Sequence, residues 1–160
     1  MSDNGVEIVS HPATYSYHIN NHWKNIFEII RKYGFIASGE CGLHFHIDRT
    51  NLNKDTPRFL DYLINTNEDF VYQIAGRRDN GFCHLNPYKY TEEWGRIGDH
   101  YDAVNFQNRN TIEIRICAAS NDYDTFIQRL TYIKQIIDYC QSKSDMIDVS
   151  VKDFKKFINQ

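Results

Sequence analysis

Thr111-Ile112-Glu113-Ile114-Arg115-Ile116-Cys117 alternates isoleucine with polar or charged side chains, a period that only an extended strand resolves into two faces. Ile112, Ile114 and Ile116 then share one face, suited to a core. Thr111, Glu113, Arg115 and Cys117 share the other. Upstream, Leu43-His44-Phe45-His46-Ile47 has the same alternation, with His44 and His46 leaving one face and the apolar residues the opposite one. Outward from these two strands, Gly5–Ser10 (Gly-Val-Glu-Ile-Val-Ser) is predicted as a further short strand, limited to an edge or an end by Pro12. Phe35-Ile36-Ala37 is predicted as another, joined to Leu43–Ile47 through the Gly39–Gly42 loop.

Helical spacing separates the strands. Trp23, Ile26, Phe27 and Ile30 share a face, and Gly34 is the natural terminator. Thr56-Pro57 has N-cap and first-turn chemistry and leads into Phe59, Leu60, Leu63 and Ile64; Glu68–Ala75 is a second helix. Asp122–Ser142 is the longest helix, with Phe126, Leu130, Ile133, Ile137 and Cys140 on one face. Ser150 with Asp153 caps a last one carrying Phe154, Phe157 and Ile158. Residues 76–98, with Gly76, Gly81, Gly95, Gly98 and Pro87 among many aromatics, form a long irregular segment of the kind that often carries function. This order predicts a single α+β domain over residues 1–160, a mostly antiparallel sheet with helices packed on one face.

Bulk composition agrees with that size and narrows the partners. The 160 residues are 41% hydrophobic and 14% aromatic, enough for a core without staples. A net charge of −3 with no basic block does not suggest generic binding to phosphate backbones. Cys41, Cys83, Cys117 and Cys140 form no CxxC pair, which fits reduced thiols in a cytoplasmic protein. The start, Met1-Ser2-Asp3-Asn4-Gly5, lacks the features of a signal peptide, and no apolar run approaches a membrane span. A soluble, cytoplasmic protein is expected.

Several residues can carry chemistry, each with a plainer alternative. His44 and His46 on one face suit a metal or a phosphate, or are hydrogen-bonded structural histidines. Glu113 beside Arg115 pairs a carboxylate for a divalent cation with a guanidinium for a phosphate or substrate carboxylate; the alternative is a solvated face with cross-strand ion pairs. Glu7, between Val6 and Ile8, is a third carboxylate of the same type, or an exposed strand residue. Arg77 and Arg78 reach a phosphoryl group or are solvated. Tyr101 and Asn105 line the same cleft or pack its edge.

Taken in order, Glu7-Ile8-Val9-Ser10-His11-Pro12, the helix with Trp23, Cys41-Gly42-Leu43-His44-Phe45-His46-Ile47, Tyr101-Asp102-Ala103-Val104-Asn105 and Thr111–Ile116 resemble the amidoligase family, carboxylate–amine ligases related to glutamine synthetase. The likeness spans roughly residues 5–120. It implies a glutamine-synthetase-like sheet that binds ATP and Mg or Mn on its polar face, where ATP phosphorylates a carboxylate and an amine displaces the phosphate. It implies Glu7, His44 and Glu113 as metal ligands. His46 would contact the nucleotide phosphate, Arg115 the transferring phosphoryl group and the nucleotide, and Arg77 a second phosphate or the substrate, making His46, Arg115 and Arg77 the catalytic residues. In the family a strand with alternating glutamates precedes the Glu-Ile-Val-Ser segment, whereas Met1 stands six residues before Glu7. Cys117-Ala118-Ala119 also replaces the family's aromatic and glycine-rich turn. The expectation is an amidoligase-like domain lacking part of the ATP/metal site, of phage or mobile-element type, with reduced or repurposed activity.

Three other functions are compatible with these residues. One is an active ATP-dependent carboxylate–amine ligase. Another is a protein that binds and inhibits a host defence complex, such as a CRISPR effector nuclease, through a protein or ribonucleoprotein contact surface at Phe82–Tyr90 and Trp94. The third is a metal-dependent hydrolase acting on RNA through His44, His46 and Glu113. An exposed sheet edge would also permit a homodimer.

Overall fold

In the computed structural model, which describes residues 6–21, 23–78, 81–87 and 99–159, the two alternating segments lie side by side. Gly42–Asp48 is β1 and Thr111–Ala118 is β3; they pair antiparallel. The short β2, Val104–Asn105, pairs antiparallel with the other edge of β3, so the order is β1-β3-β2. His46 stands opposite Glu113, Phe45 opposite Ile114, and Leu43 opposite Cys117. From Leu43 to Phe45 is one residue shorter than from Ile114 to Cys117, so β3 bulges opposite His44.

The helices are α1 (Tyr15–Asn20), α2 (Trp23–Lys32), α3 (Thr56–Asn65), α4 (Glu68–Ala75), α5 (Tyr123–Gln141) and α6 (Val151–Phe157). Local chemistry sets their ends. Asp122 accepts the Thr125 N–H at 2.7 Å to start α5, and Ser150 accepts the Asp153 N–H at 3.2 Å to start α6. Pro57 sits in the first turn of α3, while Asp55, not Thr56, holds the cap position; Thr56 is already helical and buried. Gly76 closes α4 with a left-handed φ of 73°.

The isoleucine face of β3 is the floor of the core. Ile112 and Ile114 are 0% exposed and Ile116 1%, in one cluster with Leu60, Leu63 and Ile64 of α3, Val71 and Ile74 of α4, Ile133 and Ile136 of α5, and Phe154 of α6. Each such side chain contributes about 1.5–3 kcal/mol by leaving water. At the far side, Trp23 and Phe27 of α2 pack on Phe126 of α5, with ring centroids 5.0 and 5.3 Å away. The Tyr15 hydroxyl of α1 meets Thr131 of α5 at 3.0 Å. The fold is α+β, as the element order implied.

Two predicted strands are absent, and α1 is a helix additional to those predicted. Val6–Ser10 forms no strand: Val6, Ile8 and Val9 are 67%, 50% and 78% exposed, and Gly5 lies outside the described residues. β-Branched composition favours a pleated surface only where another strand supplies one, and this segment instead runs past α1 and α2. Ile8 and Val9 there border a cavity of about 230 Å³ with Tyr17, Trp23 and Ile26. Phe35–Ala37 is likewise not a strand. Gly34 adopts φ 71°, and the Phe35 N–H turns back to the Ile30 carbonyl at 3.1 Å, so the backbone caps α2 instead of entering the sheet.

All four cysteines are free; Cys41 is exposed and the others buried. Burial pushes the Cys117 and Cys140 thiols up to about 12. Among the described residues no helix is long and apolar enough to cross a membrane. Of the irregular 76–98 segment, residues 79, 80 and 88–98 lie outside the described residues, and with them Tyr88, Lys89, Tyr90 and Trp94 of the expected contact surface.

Candidate functional site

Glu113 is the centre of a polar cluster on the face of β3 opposite the isoleucines. Its Oε1 accepts from Arg115 Nη1 at 2.7 Å and lies 3.2 Å from His44 Nδ1; its Oε2 accepts from Asn105 Nδ2 at 2.9 Å. His46 Nε2 is 3.8 Å from the same Oε1. Backbone register explains the gathering. Glu113 and Arg115 are two apart on one strand and share its face. Pairing with β1 brings His46 opposite Glu113, and pairing with β2 does the same for Asn105.

This face is far less open than an exposed strand would make it. Glu113, Arg115, Asn105 and Arg77 are all buried, whereas the side chains of His44 and His46 are 28% and 56% exposed. The cluster therefore reaches solvent at its histidine end. Burial by itself raises the Glu113 carboxyl. The His44 hydrogen bond, the Arg115 charge, the Asn105 hydrogen bond and the His44 charge together overcome that and hold it at about 2. Glu113 is thus a fixed anion that orders its neighbours. The contact turns His44 Nδ1 toward Glu113 and leaves Nε2 on the other side of the ring, over Gly42.

Arg77 enters from the end of α4, just past the left-handed turn at Gly76. Its Nε donates to the Ile116 carbonyl at 3.2 Å and its Nη2 to the Arg115 carbonyl. Nη1 is buried with no hydrogen-bond partner among the described residues. Gly42 joins Arg77 to His44. A Cβ at Gly42 would lie 2.5 Å from His44 Nε2 and 3.3 Å from Arg77 Nη1. Both nitrogens sit over the bare Cα of Gly42, so the absence of a side chain there makes room for both. Arg115 has a second anchor in the Phe82 carbonyl at 3.4 Å, and its guanidinium stands 5.9 Å from the Tyr101 ring centroid. Tyr101 meets Phe82 edge-on at 6.0 Å.

Of the expected site residues, His44, His46, Glu113, Arg115, Arg77, Asn105 and Tyr101 come together. Glu7 does not: it is exposed in the Val6–Ser10 segment, which is not part of the sheet. Arg78 lies on the surface, 3.5 Å from Glu68 and 3.4 Å from Asp69. Gly42 is the participant that residue chemistry alone did not single out; its sequence signal is a glycine two positions before His44. A cavity of about 520 Å³ lies elsewhere, between the C-terminal end of α5 and α6. Lys143, Lys152, Lys156, Asp148 and Asp153 line it, and Lys143 is paired with Asp153.

The donor set around Glu113 does not fit the carboxylate-rich Mg or Mn centre that the family resemblance implies. Hard divalent cations take several oxygen donors, and the oxygens of Glu113 face Arg115, His44 and Asn105. Among the described residues no three His, Cys, Asp or Glu side chains are grouped to hold a metal ion. What the arrangement offers is two guanidiniums and two imidazoles around one carboxylate. No family model, no curated protein and no solved structure matches this chain.

Proposed function

We propose that this chain is an amidoligase-like domain with repurposed activity, in which the cluster around Glu113 holds an anionic group, a phosphate or a carboxylate. The observation that carries this reading is the buried Nη1 of Arg77, unpartnered among the described residues and beside His44 Nε2 over Gly42. A buried donor left without an acceptor costs about 1–3 kcal/mol, and an anion entering from the histidine end would supply the acceptor. Arg115 and Arg77 outweigh the single charge of Glu113, so the cluster favours an anion electrostatically. Glu113 keeps Arg115 and His44 in fixed positions, and the sheet keeps them rigid, which lowers the ordering cost of binding. His46, the most open member, forms the rim. The four free thiols support a reducing, cytoplasmic setting.

Calorimetry with ATP and with inorganic phosphate, each in chelator and then in excess Mg or Mn, tests this reading. Saturable binding at millimolar ligand is expected without divalent cation, weakened about tenfold by Arg77→Met, a change of about 1.4 kcal/mol. Binding that depends wholly on the metal, or no binding of either ligand, would reject it.

A further inference from the structure

The other unassigned feature is the outer edge of β1. Its inner edge is taken by β3, and among the described residues no strand pairs with the outer one. The direction of its backbone groups follows from its ends. The Cys41 carbonyl accepts from Ala119 and the Arg49 N–H donates to Asn110, at 3.1 and 3.0 Å, so odd-numbered residues face the sheet interior. Directions alternate along an antiparallel strand. The amides and carbonyls of Phe45 and Ile47 therefore face β3, and those of His44, His46 and Asp48 face outward.

Sheet edges are ordinarily blunted by lysine, proline or a bulge. Gly42–Asp48 has no lysine or proline, and the irregularity opposite His44 lies in β3, leaving β1 itself regular. The strand also reads the same by residue class in both directions: aliphatic Leu43, His44, Phe45, His46, aliphatic Ile47. An antiparallel copy centred on Phe45 sets Phe45 against Phe45, His44 against His46, and Leu43 against Ile47. Inward-facing Phe45 then falls at a non-hydrogen-bonded position, and the His44–His46 pairs become the hydrogen-bonded ones, which is what the outward backbone groups require. Asp48 meets Gly42, so no fixed like charges oppose one another. Leu43 and Ile47, both half-buried, each gain an apolar neighbour across the edge.

We propose that a second copy of this chain docks on the outer edge of β1, antiparallel about Phe45, joining two three-stranded sheets into one across a twofold axis. The interface needs no ligand and stands independently of the anion-binding reading. It places the exposed His46 of each copy beside His44 of the other, at the mouths of both polar clusters.

Light-scattering mass and residue-resolved amide exchange on the full chain, followed through dilution, test the proposal. The expected mass at high concentration is twice the 18.9 kDa of one chain. The His44 and His46 amides should be protected in the dimer and lose at least about tenfold of that protection on dilution, while Phe45 and Ile47 stay protected throughout. His46→Pro removes an outward N–H and no inward one, so it should yield monomer; His46→Ala, which keeps the N–H, should stay dimeric. If the proline variant fails to fold, exchange in the unmodified chain still decides. A monomer at every concentration overturns the proposal, as does a dimer whose His44 and His46 amides exchange freely. Concentration-independent protection also overturns it, since another segment of the same chain would then cover the edge.

Discussion

Replacing Glu113 by glutamine removes one negative charge and almost no volume, leaving Arg115 buried without its counter-ion. A carboxyl held at about 2 in place of an ordinary 4.5 corresponds to ~3 kcal/mol in favour of the charged form. That is close to the 3–5 kcal/mol typical of breaking a buried ion pair from one side. At neutral pH, Glu113→Gln should therefore lose about 3 kcal/mol by denaturant titration and roughly 6–12 °C in Tm. The pH dependence gives a second, independent arm. Between 4.5 and about 2 the unfolded chain binds the Glu113 proton before the folded chain does. The Glu113 contribution is thus complete above 4.5 and is lost as pH falls toward 2. The gap between the parent and Glu113→Gln should narrow across that window. A variant within about 0.5 kcal/mol of the parent at neutral pH, or a gap that stays constant down to pH 2, would refute the description of Glu113 as a fixed, paired anion.

Gly42→Ala puts a methyl 2.5 Å from His44 Nε2, so the imidazole must move; a loss of about 1–3 kcal/mol and a shifted His44 ring resonance are expected, and an unchanged resonance would count against the close approach. Tyr139→Phe removes the hydroxyl that accepts the Ser150 N–H at 2.9 Å and donates to the Asp148 and Ser150 carbonyls, at 3.0 and 3.1 Å. A cost of about 1 kcal/mol is expected, with faster amide exchange in α6 but not in β3. Phe154→Ala empties a site that is 0% exposed between Phe70 and Tyr139 and should cost about 3–5 kcal/mol by thermal or chemical denaturation.

Where one face of an element is buried, its periodicity was readable. The isoleucines of β3 and the apolar rows of α3 and α5 carry the core, and β1, α2, α4 and α6 followed from the same patterning and from caps such as Ser150. Val6–Ser10 and Phe35–Ala37 show the limit: β-branched and aromatic residues indicate what a strand would accept, not whether a neighbour is there to pair with. Gly34 diverts the Phe35 N–H into the α2 cap, which no count of strand-forming residues registers. The same division runs through the site. The two-residue spacings of His44-x-His46 and Glu113-x-Arg115 each implied one shared face, and pairing of β1 with β3 merged the two faces. The burial of Arg115 and Glu113 depends on the chain around Phe82, Tyr101 and Asn105, and the meeting of Arg77 with His44 over Gly42 depends on the turn at Gly76. Those are tertiary relations without a local signature. The same holds for the isolation of Glu7, whose strand-like surroundings run past the helices instead of joining the sheet.

The imidazole resonances of His44 and His46, followed while inorganic phosphate is added in the presence of chelator, test the anion-binding role of the cluster most directly. Both resonances should move together and saturate at millimolar phosphate, with His11 beside α1 and His18 within it unaffected, and the movement should be lost in Arg77→Met. Stationary His44 and His46 resonances, or shifts that persist undiminished without Arg77, would contradict it.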